Sequence, residues 1–185
     1  LVFRVLEWQP DAILVYDNVN DYRVRTYANF DNAYFHWRRV WAGFAGEFRP
    51  AKDDMADGIN AFIQQAAPKE KSDKAANVKR AGTWAFRRNV TSMVAIAQAF
   101  GVKPVLVGFV CHRQDQYADE VFLAGVDEQN DVLRDVAKVR GALYVDLAPQ
   151  YPTGGAYWVD AVHNNAAGAK IKARLIADAL LAGLL

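Results

Sequence analysis

Near the C-terminus of this sequence stands Asp160-Ala161-Val162-His163, a carboxylate three residues before an imidazole and just ahead of an apolar helical pattern. A carboxylate at that spacing can accept from one ring nitrogen, fix the tautomer, and leave the other nitrogen to take a proton from a hydroxyl nucleophile. The same residues also suit a helix N-terminal turn, with the Asp as cap and the His merely exposed. Spacing alone leaves both open. The nucleophile such a pair would serve is hard to find: Ser72 and Ser92 are the serines, and Cys111 is the single cysteine. Ser72 falls in a lysine-rich stretch and Ser92 inside a helical pattern with Val90, Val94 and Ile96. Neither has the strand-to-loop setting that exposes a nucleophile. Cys111 follows an apolar run beside His112, and it reads as a structural thiol before a reactive one.

The elements that must position these groups are legible as apolar runs. Ala12–Tyr16, Pro104–Val110 and Ala142–Leu147 are apolar at successive positions, which suits parallel strands covered by helices on both faces. Helical patterns run over Trp84–Phe100, stopping at Gly101, over Val126–Arg140, stopping at Gly141, and over about Ala166–Leu181. Strands alternating with helices predict an α/β layer fold with a parallel sheet. Ligands of such sheets bind at the C-terminal strand ends. The first run ends in Asp17-Asn18-Val19-Asn20-Asp21, the second in Cys111-His112-Arg113, and Asp160 and His163 follow the third. There Asn20 suits either a donor to a developing oxyanion or simple turn chemistry. Asp21 and His112 are candidates to touch substrate.

More than sixty residues separate the first run from the helix at Trp84, a length typical of a functional lid or insertion. Asn32–Phe48 is rich in aromatics and arginine, Asp57–Gln65 suits a short helix, and Pro68–Lys79 reads as a solvated loop. Within it, Phe35-His36-Trp37-Arg38-Arg39 suits substrate contact through Trp37, or equally a packing surface.

Composition bounds the rest. A length of 185 residues, 52% hydrophobic and 23% charged, fits one globular domain. The net charge of +1 gives no reason to expect a nucleic-acid partner, and no stretch reaches the ~18 apolar residues of a membrane span. His36, His112 and His163 lack His-x-x-x-His spacing, and no Cys-x-x-Cys occurs, so no metal is expected. Five tryptophans and eight tyrosines suit core packing first and a carbohydrate or acyl cleft second. The opening Leu1-Val2-Phe3-Arg4 has no signal-peptide layout and reads as a cut through a domain.

Two of these segments resemble blocks of a known family, the SGNH (GDSL-type) hydrolases. Pro10-Asp11, the apolar run and Asn18-Val19-Asn20-Asp21 resemble its third block, a strand followed by Gly-x-Asn-Asp. Asp160-Ala161-Val162-His163 with Gly168 downstream resembles its fifth block, Asp-x-x-His before the last helix. Phe86–Val107 and Asn130–Asp146 are similar to the helix–strand pairs between them, so the resemblance covers nearly all but residues 24–83. It implies a three-layer α/β/α, flavodoxin-like fold in one domain with an insertion at 24–83. It also implies a serine esterase without cofactor, acting on small O-acyl esters such as carbohydrate O-acetyl groups or short-chain lipids. His163 would be the base, Asp160 its orienting partner and Asn20 an oxyanion donor. Two departures stand out. Asn18 replaces the block's Gly, and the Gly-Asp-Ser nucleophile block and the second block have no match. The family order puts both, and the first strand or strands, before Leu1. The resemblance further implies secretion, and an alternative in which the fold binds ligands without catalysis.

Overall fold

Val, Ile and Leu concentrate in three short runs because β-branched and apolar side chains pack well on a sheet covered from both sides. In the computed structural model, which describes residues 6–28, 30, 32 and 73–184, these runs are β1 (Ala12–Val15), β2 (Lys103–Val107) and β3 (Leu143–Val145). They form one parallel sheet in the order β1-β2-β3, with Val15 opposite Leu106 and Val107 opposite Val145. The helices among the described residues are α1 (Val19–Arg25), α2 (Lys74–Ala81), α3 (Trp84–Ala99), α4 (Glu120–Arg140) and α5 (Ala166–Leu184). None is long and apolar enough to cross a membrane. The chain divides into two compact units, Leu1–Asn20 with Phe86–Leu185, and Asp21–Ala85.

The first unit has three layers. Phe86, Val90 and Val94 of α3 and Val132, Leu133 and Val136 of α4 cover one sheet face, meeting Val15 and Leu106. On the other face Ile171, Leu175 and Ile176 of α5 meet Val105, Val107 and Val145. Leu106 and Leu133 are fully buried, each contributing about 2 kcal/mol to folding. Period-two alternation along β2 thus serves both layers, the three-layer α/β/α arrangement expected from the sequence.

Boundaries differ from expectation for identifiable reasons. β2 leaves the ladder after Val107 because Phe109 pairs instead with a side chain: its N–H donates to Asn130 Oδ1 (2.8 Å), and its carbonyl accepts from Asn130 Nδ2 (2.9 Å). α4 begins at Glu120 rather than Val126, since the Asp119 carboxylate accepts from the Phe122 N–H at 2.8 Å and caps it. It ends as read, at Gly141 in the left-handed region (φ 64°). The expectation that every strand is covered on both faces fails at Leu14. That residue is 46% exposed on the face of β1 opposite the one where Ile13 and Val15 are buried.

The reading of Pro68–Lys79 as a loop is corrected over its described part. Lys74–Ala81 is helical because Asp73 caps it (Oδ1 to the Ala76 N–H, 2.9 Å) and no Gly or Pro interrupts it before Gly82. In this second unit the helix is anchored by buried polar contacts. Asn77 Nδ2 donates to the Thr26 carbonyl (3.0 Å), and the buried Arg25 guanidinium donates to the Val78 carbonyl (3.2 Å). Most of the aromatic stretch 32–48, including His36 and Trp37, lies outside the described residues, as do the helix expected over 57–65 and Ser72.

Candidate active site

After β3 the chain buries Leu147 and Tyr151, then turns through Gly155–Tyr157 to Trp158 and the Asp160–His163 segment. Here Asp160 does two things at once. One carboxylate oxygen accepts from the backbone N–H groups of Val162 and His163, both at 2.8 Å. The other lies 2.7 Å from His163 Nδ1. An ionised carboxylate only accepts, so Nδ1 carries a proton, and in the neutral imidazole Nε2 keeps its lone pair. The His163 side chain is 74% exposed, so that lone pair is reachable. Asp160 is not the helix cap that the alternative required. Asn165 caps α5, its Oδ1 accepting from the Gly168 N–H (3.0 Å) and its carbonyl from the Ala169 N–H (2.8 Å).

The segment is clipped shut by its own backbone. The Val159 N–H donates to the His163 carbonyl (2.8 Å), and the Asn165 N–H donates to the Tyr157 carbonyl (3.1 Å). Trp158 and Asn164 form an antiparallel bridge between them. Gly168 is needed where α5 passes beneath, because a Cβ there would collide with the Tyr157 carbonyl and lie 2.5 Å from the Tyr151 hydroxyl.

Hydrogen bonding from His163, then from the Val162 N–H, holds the Asp160 carboxyl down at about 2, below its ordinary 3.8. A depressed acid stabilises the fold above its ordinary value and ceases to do so as pH falls through its folded value. The stability difference between the protein and Asp160→Asn is therefore expected to be constant above about pH 4 and to shrink towards pH 2. Denaturant titrations at several pH values check this. A difference that shrinks already near pH 6 would mean that Asp160 is not the titrating group. With the carboxylate 45% exposed, solvent screening keeps the effect small.

All three strands run the same way, so β1, β2 and β3 end at one edge of the sheet. Asn20 is the second residue of α1 and exposed, at the C-terminal end of β1. Among the described residues no hydrogen bond joins it to Asp160 or His163. Asp21 follows it in α1, partly exposed. His112 sits after β2 and is brought directly to the dyad segment: its N–H donates to the Ala161 carbonyl (2.8 Å). Its ring stacks on Trp158, with centroids 6.0 Å apart and planes 12° apart. Its Nδ1 is 3.8 Å from Asp115 Oδ2, too far for a hydrogen bond. Ser92 donates back to the Arg88 carbonyl of its own helix (2.9 Å). Burial pushes the Cys111 thiol up to about 11, which keeps it protonated and a poor nucleophile.

Sequence reasoning missed the residues that hold these pieces together. Asn18, only 1% exposed, donates to Asn130 Oδ1 (3.1 Å) and to the Val126 carbonyl (3.0 Å). It thereby joins the ends of β1 and β2 to α4. Its φ is not positive, so the position does not demand the glycine of the resembled block. Tyr151 packs edge-on to Trp158 (5.3 Å), and its hydroxyl accepts from Asn164 Nδ2 (2.8 Å), next in sequence to His163. The doublet Asn164-Asn165 directly after His163 was the available signal, since one Asn caps and the other braces.

No protein-family model matches the chain, and no curated protein matches it. Solved structures do. A catalytic mutant of an acetylxylan esterase from Geobacillus stearothermophilus aligns over 97% of this chain and 63% of its own, with a TM-score of 0.55 and 14% identity. A second mutant, an acetyl-xylooligosaccharide esterase from the same organism, gives 0.53 and 15% over the same shares. A GDSL-like lipase from Bacteroides thetaiotaomicron aligns over 51% of this chain and 50% of its own, with a TM-score of 0.43 and 22% identity. The chain thus spans between half and two thirds of the length of these proteins, and at these identities the likeness is one of fold. From the parallel sheet, its three layers and the two acetylxylan-type esterase alignments, the chain has a flavodoxin-like α/β/α fold like that of those esterases.

Proposed function

We propose that this chain supplies the base-bearing part of a serine esterase that cleaves O-acyl esters. The observation that carries the reading is the 2.7 Å contact from Asp160 to His163 Nδ1, which leaves Nε2 without a hydrogen bond among the described residues on an exposed side chain. In this reading a serine upstream of Leu1 attacks the ester carbonyl and passes its proton to His163 Nε2. The imidazolium so formed is held by Asp160, and the Asn20 amide donates to the tetrahedral oxyanion. Collapse of the intermediate expels the alcohol, which takes the proton back from His163. A water then repeats the sequence and frees the carboxylic acid. No cofactor takes part. Residues 24–83 are an insertion in a single domain, and Trp37, Asp21 and His112 are the residues proposed to touch substrate. The substrates are small-molecule or glycan esters. Carbohydrate O-acetyl groups are supported by the acetylxylan esterases of like fold, and short-chain lipid esters are the other class.

A second reading, a ligand-binding domain without catalysis, is favoured by one observation: the described serine bonds its own helix. Labelling with a fluorophosphonate separates the two. The parent protein is expected to be labelled once, on a serine outside residues 1–185, while the 185-residue chain alone shows no label and no p-nitrophenyl acetate turnover. Turnover by this chain that disappears in Cys111→Ala would overturn the assignment.

A further inference from the structure

The contact between Asp160 and His163 Nδ1 fixes the imidazole relative to its own segment, and other contacts must fix that segment relative to the sheet. Two hydrogen bonds reach it from outside. The His112 N–H donates to the Ala161 carbonyl (2.8 Å), and the Tyr151 hydroxyl accepts from Asn164 Nδ2 (2.8 Å), so the two bracket His163 in sequence. Both supporting residues also touch one side chain, the indole of Trp158. The His112 ring stacks on it (6.0 Å between centroids), and the Tyr151 ring meets it edge-on (5.3 Å). Gly155 leaves room for the stack, since a Cβ there would come within 3.2 Å of His112 Cε1.

The indole is buried, in the cluster that holds Val110, Leu147 and Tyr151. Its Nε1–H has no hydrogen-bond partner among the described residues, so the ring acts through its faces and edge. The backbone of Trp158 belongs to the clip itself. It is bridged to Asn164, and the N–H of the next residue, Val159, donates to the His163 carbonyl (2.8 Å). A displacement of the ring is therefore passed to the chain on both sides of His163. Asp160 decides which ring nitrogen carries the proton, and Trp158 is placed to decide where the other nitrogen points.

We infer that Trp158 is a positioning residue for His163, fixing the direction of Nε2 by joining the His112 and Tyr151 supports to the backbone clip. The inference rests on the esterase reading for its kinetic consequence alone. In the 185-residue chain, Trp158→Leu is expected to speed amide hydrogen exchange at Val159 and Asn165 by about tenfold or more. Exchange at Phe109, whose N–H is held by Asn130, is expected to stay unchanged, and nitrogen NMR of His163 to show the proton still on Nδ1. His112→Ala keeps the backbone bond to Ala161 and removes only the stacked ring. It is expected to speed exchange at the same two amides by about threefold, and it decides the matter where the leucine variant does not fold. In the parent protein Trp158→Leu lowers kcat by about 30-fold with KM within about twofold, and Trp158→Phe recovers most of the loss. Unchanged exchange at Val159 and Asn165 in either folded variant, or equal acceleration at Phe109, overturns the inference. So does a rise in KM at unchanged kcat, which would make Trp158 a substrate contact. The expected exchange pattern in a parent protein that turns over no ester would retain the positioning role and defeat the esterase reading instead.

Discussion

On the esterase reading proposed above, replacing His163 by alanine in the parent protein is expected to lower kcat for p-nitrophenyl esters by about 10⁴-fold or more, with little change in folding stability. The size follows from what is lost. Without an acceptor at Nε2 the serine must be deprotonated by water, and no group returns the proton to the leaving alcohol. Stability is spared because the ring is 74% exposed and packs little. Asp160→Asn is expected to act more subtly, keeping an oxygen for the Val162 and His163 N–H groups while losing the second acceptor for Nδ1–H. Its loss of kcat approaches that of the histidine variant, because the imidazole can then settle in the wrong tautomer. A drop of less than about tenfold for His163→Ala would assign the pair a structural role and remove the basis for the esterase reading.

Asn130→Ala is expected to be the most damaging single change to the sheet edge, at about 3 kcal/mol. It strips partners from three groups in one place: the Phe109 N–H, the Phe109 carbonyl and the Asn18 amide. All are buried, so water does not replace what is lost without opening the structure. Asn130→Asp is expected to cost a similar amount, since a carboxylate cannot donate to the Phe109 carbonyl and brings a charge into a buried position. Urea unfolding of the two variants measures both. A loss below about 1 kcal/mol for the alanine variant would show that the edge is held by the apolar layers alone.

These two sites also show where sequence is informative. The Asp160–His163 contact could be anticipated because it is local, three residues of separation within one turn, though spacing alone left a helix cap also open. Gly101 and Gly141 marked helix ends for the same reason, a left-handed residue being needed just where each helix stops. Asn18 and Asn130 lie 112 residues apart, and nothing local distinguishes Asn18 from an ordinary turn former. Its role exists only once β1 and β2 are neighbours and α4 crosses behind them. The helix starting at Lys74 was missed through composition, because lysines that suit a solvated loop also suit an exposed helix once Asp73 caps it. Leu14 was misjudged for the opposite reason, since an apolar residue in a strand signals burial only if a layer is present above it.

The backbone clip around His163 has a consequence for how such a protein can change over time. The Asp160–His163 contact is set by bonds within Tyr157–Asn165, while His112 and Tyr151, in the loops after β2 and β3, hydrogen-bond that segment from outside. Substitutions in the layers beneath can accumulate, shifting strands by fractions of an ångström, without disturbing the angle between carboxylate and imidazole. The geometry of the Asp160–His163 pair is thus insulated from drift in its scaffold.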